Sequence, residues 1–152
     1  MNLIITTNLN EARKQADKLK KEQKEIAILS QDDEFNRKAL EIKGLNMLVI
    51  NENLNQKDYM KQRNSGLNEV LAKICTEKRI EIGIQIDEII KKETKEKAHS
   101  LARLAQNIML CKKAGAKLKL ITENKDKMAM RSLLISLGAS TQQAQQAFKQ
   151  SF

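Results

Sequence analysis

The sequence contains no proline or tryptophan, one histidine, two cysteines, one tyrosine and three phenylalanines in 152 residues. Each scarcity removes a class of function. One histidine and two cysteines fall short of a tetrahedral zinc site. A serine or cysteine hydrolase would have to work through His99 alone. Cys75 and Cys111 both fall on apolar helix faces, as buried reduced thiols do. With so few aromatic rings, stacking on flipped bases cannot be a main binding strategy. Uninterrupted apolar runs are only a few residues long, Met47-Leu48-Val49-Ile50 among them, whereas a membrane-spanning helix needs roughly 20. The N-terminus, MNLIITTNLNEARK, has no basic leader followed by a long apolar stretch, so secretion is not expected.

What the chain does have is an ordinary core and a charge excess. Its length suits a single α/β domain over residues 1–152, and its apolar content of 41% is enough for a core without disulfides or metal. A formal charge of +9 points to a polyanionic partner. The excess is uneven. Residues 1–76 carry 13 basic and 11 acidic side chains, and residues 77–152 carry 15 and 8. Lys91 to Lys119 alone holds nine basic residues against Glu93 and Glu96, a clustering that favours a binding surface over a solubilising coat.

Short β-like runs alternate with helical patterns. Leu3 to Thr6, Glu25 to Leu29 and Leu45 to Ile50 read as strands, as do the alternating Ile80, Ile82, Ile84 and Ile86 and the run Leu118 to Ile121. Between them, Asn8 caps a helix striped by Leu9, Ala12, Ala16 and Leu19. Ser30 and Asp32-Asp33-Glu34 suit the start of a second helix. A polar loop, Asn51 to Arg63, leads into a helix marked by Leu67, Val70, Leu71, Ile74 and Cys75. Thr94 can cap a long helix through Ala114 that Gly115 ends. Two last helices flank Gly138, with Ser140 and Gln143 as a capping box. There is no internal repeat, and the only biased tract is the glutamine-rich tail from Gln142 to Gln150. The order β-α-β-α-β-α-β-α-β-α-α implies a largely parallel sheet. Five strands cannot close an eight-stranded barrel, which leaves an incomplete barrel or an open doubly wound sheet.

Three segments carry chemistry. Arg63-Asn64-Ser65-Gly66-Leu67-Asn68 opens a helix, where free N–H groups, a permissive glycine and Arg63 could hold an RNA phosphate. The competing reading is a helix cap at Asn64 or Ser65 with a tightly packed glycine. On the long helix, Leu101, Leu104, Ala105, Ile108 and Cys111 face one way and His99, Arg103, Gln106 and Lys113 the other. That second stripe suits phosphate and ribose, or is a solvated face, and Leu110 within it suggests a protein neighbour. Lys112 to Lys119 joins this helix to a strand, where lysines also complement the helix dipole. Lys119 alternates with Leu118 and Leu120 and so should face away from the hydrophobic layer. Asp87-Glu88 follows the fourth strand, at the edge where parallel sheets place sites, or simply begins a helical turn.

Taken together, these segments resemble the α/β-barrel-type protein subunit of archaeal and eukaryotic ribonuclease P, protein component 3. The likeness lies in RNSGLNEVLAKICTEKRIEIGI (63–84), in FNRKALEIKGLNMLVI (35–50) and in KAHSLARLAQNIMLCKKAGAKLKLIT (97–122), which occur in the family's order over about two thirds of the chain. It implies a shortened, TIM-barrel-like fold in which the missing elements leave the sheet either partly open under helices or with an edge that serves as an interface. It also implies a noncatalytic RNA-binding subunit of an archaeal cytoplasm. There the ribonuclease P RNA removes the 5′ leader of precursor tRNA, which this subunit meets indirectly. The implied protein partner is ribonuclease P protein component 2, as a dimer of heterodimers, with no membrane involved. No cofactor would be bound by this chain, and Mg2+ would serve the RNA-based holoenzyme. The matched positions are Arg37, Lys38, Arg63, Asn64, Ser65, Gly66, Asn68, Lys73, Arg103, Lys112 and Lys113, as RNA-binding or partner-binding residues. Two other classes compete. One is a generic basic RNA-binding or ribosome-associated protein, and the other is a small metabolic α/β enzyme using Asp87 or Glu88.

Overall fold

The computed structural model describes residues 1–54 and 57–148. Five parallel strands form one sheet in sequential order: β1 (Asn2–Ile4), β2 (Ile26–Leu29), β3 (Leu45–Ile50), β4 (Glu81–Gln85) and β5 (Leu118–Ile121). The helices are α1 (Leu9–Lys21), α2 (Asp33–Ala39), α3 (Glu69–Lys78), α4 (Ile86–Ile90), α5 (Thr94–Ala114), α6 (Lys127–Ser136) and α7 (Thr141–Gln146). The strand order decides between the two architectures the periodicity leaves open. Each crossover steps to the adjacent strand in the same direction, and right-handed crossovers then put every intervening helix on one face. The sheet is singly wound and unclosed, a shortened TIM-barrel-like fold.

The two faces differ accordingly. The helix-covered face holds the main core, with Ile4, Ile28, Leu48, Ile50, Ile82 and Ile84 from the strands and Ala12, Ala16, Leu71, Leu104 and Ile108 from the helices. The other face, the interior of a complete barrel, holds a small cluster made only of strand residues: Ala27, Leu29 and Val49, flanked by Leu3, Met47 and Ile121. Gly83 belongs to this face because space is short there. A Cβ on it would lie 2.6 Å from Met47 Sδ and 3.0 Å from Ile121 Cδ1. Lys119 also turns away from the helices, as its alternation predicts, yet it is not solvated. It is buried and stands 3.8 Å from the Glu81 carboxylate across the β4–β5 ladder.

The edges are unequal. The Leu120 N–H of β5 donates to the Ala147 carbonyl at 3.1 Å, so the end of α7 covers that edge. β1 pairs only with β2 and has no second strand neighbour among the described residues, with Ile5 just beyond it 66% exposed.

Local signals place the helices well. Asn8 caps α1 by accepting from the Asn10 and Glu11 N–H groups, and Gly115 ends α5 at φ +76°. The Ser140–Gln143 capping box on α7 is present, although Lys149 and Gln150 of the glutamine-rich tail lie outside the described residues. Two expectations shift, and one pair of alternatives is decided. Glu93, not Thr94, is the N-cap position of α5. The Asp87-Glu88 pair lies in the first turn of the short α4, in line with the helical-turn reading. Leu110 is buried within the main core, so it marks no neighbouring protein. Nearby, Gln143 of α7 donates to the Ile108 carbonyl as the C-terminal helices close on α5.

Candidate nucleic-acid interface

The loop from β3 to α3 is pinned to α5 by side chains rather than by regular secondary structure. The Gln106 carboxamide accepts from the Arg63 N–H at 3.0 Å and donates to the Arg63 carbonyl at 2.8 Å and the Ser65 hydroxyl at 3.0 Å. Asn107, buried beside it, donates to the Ser65 carbonyl at 3.1 Å. Ser65 is therefore 5% exposed although it sits in a loop. Gly66 adopts φ +79°, a left-handed conformation natural to glycine, and a Cβ there would meet Ile50 Cγ2 at 3.4 Å.

The phosphate position expected at this turn is already taken. The helix begins at Glu69, and its N-cap is Asn68 rather than Asn64 or Ser65. Asn68 Oδ1 accepts from the Leu71 N–H at 2.9 Å, while its Nδ2 donates to both carboxylate oxygens of Asp33 at 3.0 and 3.1 Å. The Asn64 N–H donates to Asp58 Oδ1 at 2.9 Å. Arg63 and Arg103 close on the same carboxylate at 3.4 and 3.2 Å. The Asn64 N–H, followed by the Arg103 guanidinium, holds the Asp58 carboxyl below the usual carboxylate range. Asp58 is thus an internal anion where an external phosphate is expected, and the turn is chiefly a docking joint. Of the two arginines, Arg63 is the more exposed, at 42% against 23%.

The structure brings Arg63, Asn64, Ser65, Gly66, Asn68 and Arg103 together at the C-terminal end of the sheet. The Lys113 side chain reaches that group through Glu69, the residue after Asn68, and Arg37, Lys38 and Lys112 lie apart. Arg37 and Lys38 lie in the last turn of α2, and Lys112 and Lys113 in the last turn of α5, at the sheet's opposite edge. Lys38 pairs with Glu34 at 2.7 Å. Lys113 pairs with Glu69 at 2.5 Å, and the contact holds the Glu69 carboxyl low. Lys112 reaches the Gly138 carbonyl at 3.5 Å. Lys73 is exposed on α3, and His99 is exposed on α5.

Sequence reasoning missed Asp58, Glu52 and Lys92, all within or bonded to the stretch it reads as an undifferentiated polar loop. Glu52 follows β3, where burial pushes its carboxyl up to about 7 against the opposing pull of Lys92 and Arg103. Lys92 Nζ donates to the Glu52 main-chain carbonyl and to Ser100 Oγ. Neither residue stands out by spacing.

A concavity of about 550 Å³ opens at the ends of β4 and β5, lined by Asp87, Glu88, Lys91, Thr122 and Glu123. Asp87 is tied there: it accepts from Thr122 Oγ1 at 2.6 Å and the Glu123 N–H at 2.8 Å, and these bonds hold its carboxyl below the usual range. A carboxylate kept ionised with both oxygens engaged is a poor acid–base catalyst, which counts against the metabolic-enzyme reading. Cys75 and Cys111 are buried, and desolvation pushes both thiols up to about 12, as inert core thiols. Among the described residues, no group of three or more His, Cys, Asp or Glu could hold a metal, and no helix is long and apolar enough to cross a membrane.

Comparison with known proteins bears directly on the resemblance. A curated relative from Methanococcus vannielii, "Ribonuclease P protein component 3", is 32% identical over 110 residues, which is 72% of this chain and 45% of that protein. The chain is similar to ribonuclease P protein component 3. It spans less than half the length of that component 3 sequence. A chain of a solved structure described as "cryo-EM structure of archaeal Ribonuclease P with mature tRNA" superposes with a TM-score of 0.78 at 22% identity. The match covers 95% of this chain and 62% of that one, and it establishes the shared fold. No protein-family model matches the sequence.

Proposed function

We propose that this chain is a noncatalytic, RNA-binding protein subunit of ribonuclease P that assists the catalytic RNA in removing the 5′ leader of precursor tRNA. The observation that carries the reading is the 32% identity to an archaeal component 3 over 72% of the chain. The fold agrees with it, and so does the net charge of +9. Its partners on this reading are the ribonuclease P RNA and component 2, as a dimer of heterodimers, with precursor tRNA met indirectly. Mg2+ serves the RNA rather than this chain, and the setting is the cytoplasm. Arg63 and Arg103, at the β3–α3 joint, are offered to the RNA or to component 2.

The competing reading, a generic basic RNA-binding protein, shares the charge but not the selectivity. Competition binding separates them. A ribonuclease P subunit mixed with component 2 prefers ribonuclease P RNA to a ribosomal RNA fragment of equal length at physiological salt. Equal affinity for both RNAs, with the same steep salt dependence, would leave only the generic reading.

A further inference from the structure

The charge excess of the chain is concentrated in space, though not in sequence. Four segments lead from a helix end into the next strand: KLKKEQKE (18–25), NRKALEIKG (36–44), CTEKRI (75–80) and CKKAGAK (111–117). Together they carry twelve basic and four acidic side chains, nearly the whole net charge of +9. In a parallel sheet such segments all lie along the edge where the strands begin. Contacts between them make this edge continuous. Lys20 Cδ lies 3.7 Å from the Cβ position of Gly44, beside Lys43. Lys78 Nζ donates to the Leu40 carbonyl at 3.0 Å, joining the ends of α2 and α3. Thr76 Oγ1 donates to the Ala114 carbonyl at 3.0 Å, joining α3 to α5.

Helix dipoles account for basic residues in a last turn, but the effect fades beyond it. Lys43 and Lys117 lie past the ends of their helices. Arg79 sits at the C-cap of α3 with φ +57°, a left-handed conformation where glycine or asparagine is the relaxed choice. Lys20, Lys43, Arg79 and Lys117 are exposed and make no ion pair among the described residues. The dipole suits Lys20, in the last turn of α1, but dipole, pairing and backbone preference leave Lys43, Arg79 and Lys117 unexplained.

We infer that this basic rim, at the strand-start edge of the sheet, is the chain's main binding surface for the phosphate backbone of RNA. The inference rests on the ribonuclease P reading for the choice of RNA among polyanions. It puts the RNA at the edge opposite both the β3–α3 joint and the acidic concavity at Asp87. Lys112 and Arg37 join it as flanking contacts, whereas Lys38 and Lys113 are held by Glu34 and Glu69.

The test measures binding of the full chain to a labelled RNA hairpin of about 16 base pairs, the span of one double-stranded RNA-binding module. Lys43→Glu and Lys117→Glu are expected to weaken binding about tenfold each. Each should also flatten the dependence of log affinity on log salt by about 0.9 for every phosphate left without its cation. Lys125→Glu, at the opposite edge, makes the same charge change and is expected to have an effect of less than about threefold. Arg79→Gly is expected to weaken binding while leaving the melting temperature unchanged or raised, which a purely structural role would not do. Rim variants that bind like the parent chain, or no worse than Lys125→Glu, would overturn the inference. So would a parent chain that binds anionic phospholipid vesicles but not the hairpin. The hairpin has no ribonuclease P sequence, so a chain that fails to support cleavage yet loses hairpin binding through its rim keeps this inference and loses only the holoenzyme reading.

Discussion

Asp58 Oδ1 lies 3.2 Å from the Arg103 guanidinium, 45 residues along the chain, while accepting the Asn64 N–H at 2.9 Å. One carboxylate thereby fixes the loop after β3 to the long helix and fills the anion position of the turn. Asp58→Asn keeps the shape and removes the charge. Stability is expected to fall by about 1 kcal/mol, the scale of a partly exposed charge-assisted contact. Because the folded-state pKa is depressed, the parent's advantage is present above about pH 4 and is lost as pH falls through the folded value. Urea titrations of both proteins between pH 3 and 6 check this. Curves separated equally at every pH would contradict it.

Arg63 is the half-exposed member of that group. Arg63→Ala is expected to lower precursor-tRNA cleavage by the reconstituted enzyme about fivefold, the worth of one charge-assisted contact. The circular-dichroism spectrum should be unchanged, since Gln106 holds the Arg63 main chain and not its side chain. Unchanged cleavage across several salt and magnesium concentrations would remove Arg63 from the interface.

Glu52 acts in the opposite sense to Asp58. Its folded pKa is raised to about 7 by burial, so between about pH 4.5 and 7 the folded chain holds a proton that the unfolded chain has released. Stability from this group therefore declines as pH rises through that window, by up to about 3 kcal/mol. Glu52→Gln, neutral throughout, is expected to remove the decline and to be the more stable protein at pH 8. A parallel pH profile for the variant would contradict the assignment.

Glu81 and Lys119 form the buried ion pair on the concave face, with side chains 13% and 9% exposed. Glu81→Ala strands a buried ammonium and is expected to cost about 3 kcal/mol in chemical denaturation. The double change Glu81→Leu with Lys119→Met is expected to cost much less, because two charges leave together. A double variant weaker than Glu81→Ala would show that further contacts of Glu81 dominate.

Local signals were legible in the sequence. Asn8, Gly115 and the Ser140–Gln143 box act over a few residues, and each is found where its spacing placed it. What escaped depends on distant partners. Asn68 is the cap in place of Asn64 or Ser65, and its amide is also held by Asp33, 35 residues away. Leu110 falls in a polar stripe of its own helix, yet it is buried in the main core. The lysine-rich stretch from Lys91 to Lys119 stood out in the sequence, but folding regroups basic residues from four separate segments along one edge. Periodicity marked the five strands, and their sequential pairing settled the barrel-like winding.

The most direct measurement is cleavage of precursor tRNA by archaeal ribonuclease P RNA with component 2, with and without this chain, at low magnesium. A ribonuclease P subunit of this kind is predicted to stimulate cleavage only when both proteins are present. No stimulation, with the chain folded and the RNA active at high magnesium, would contradict that role.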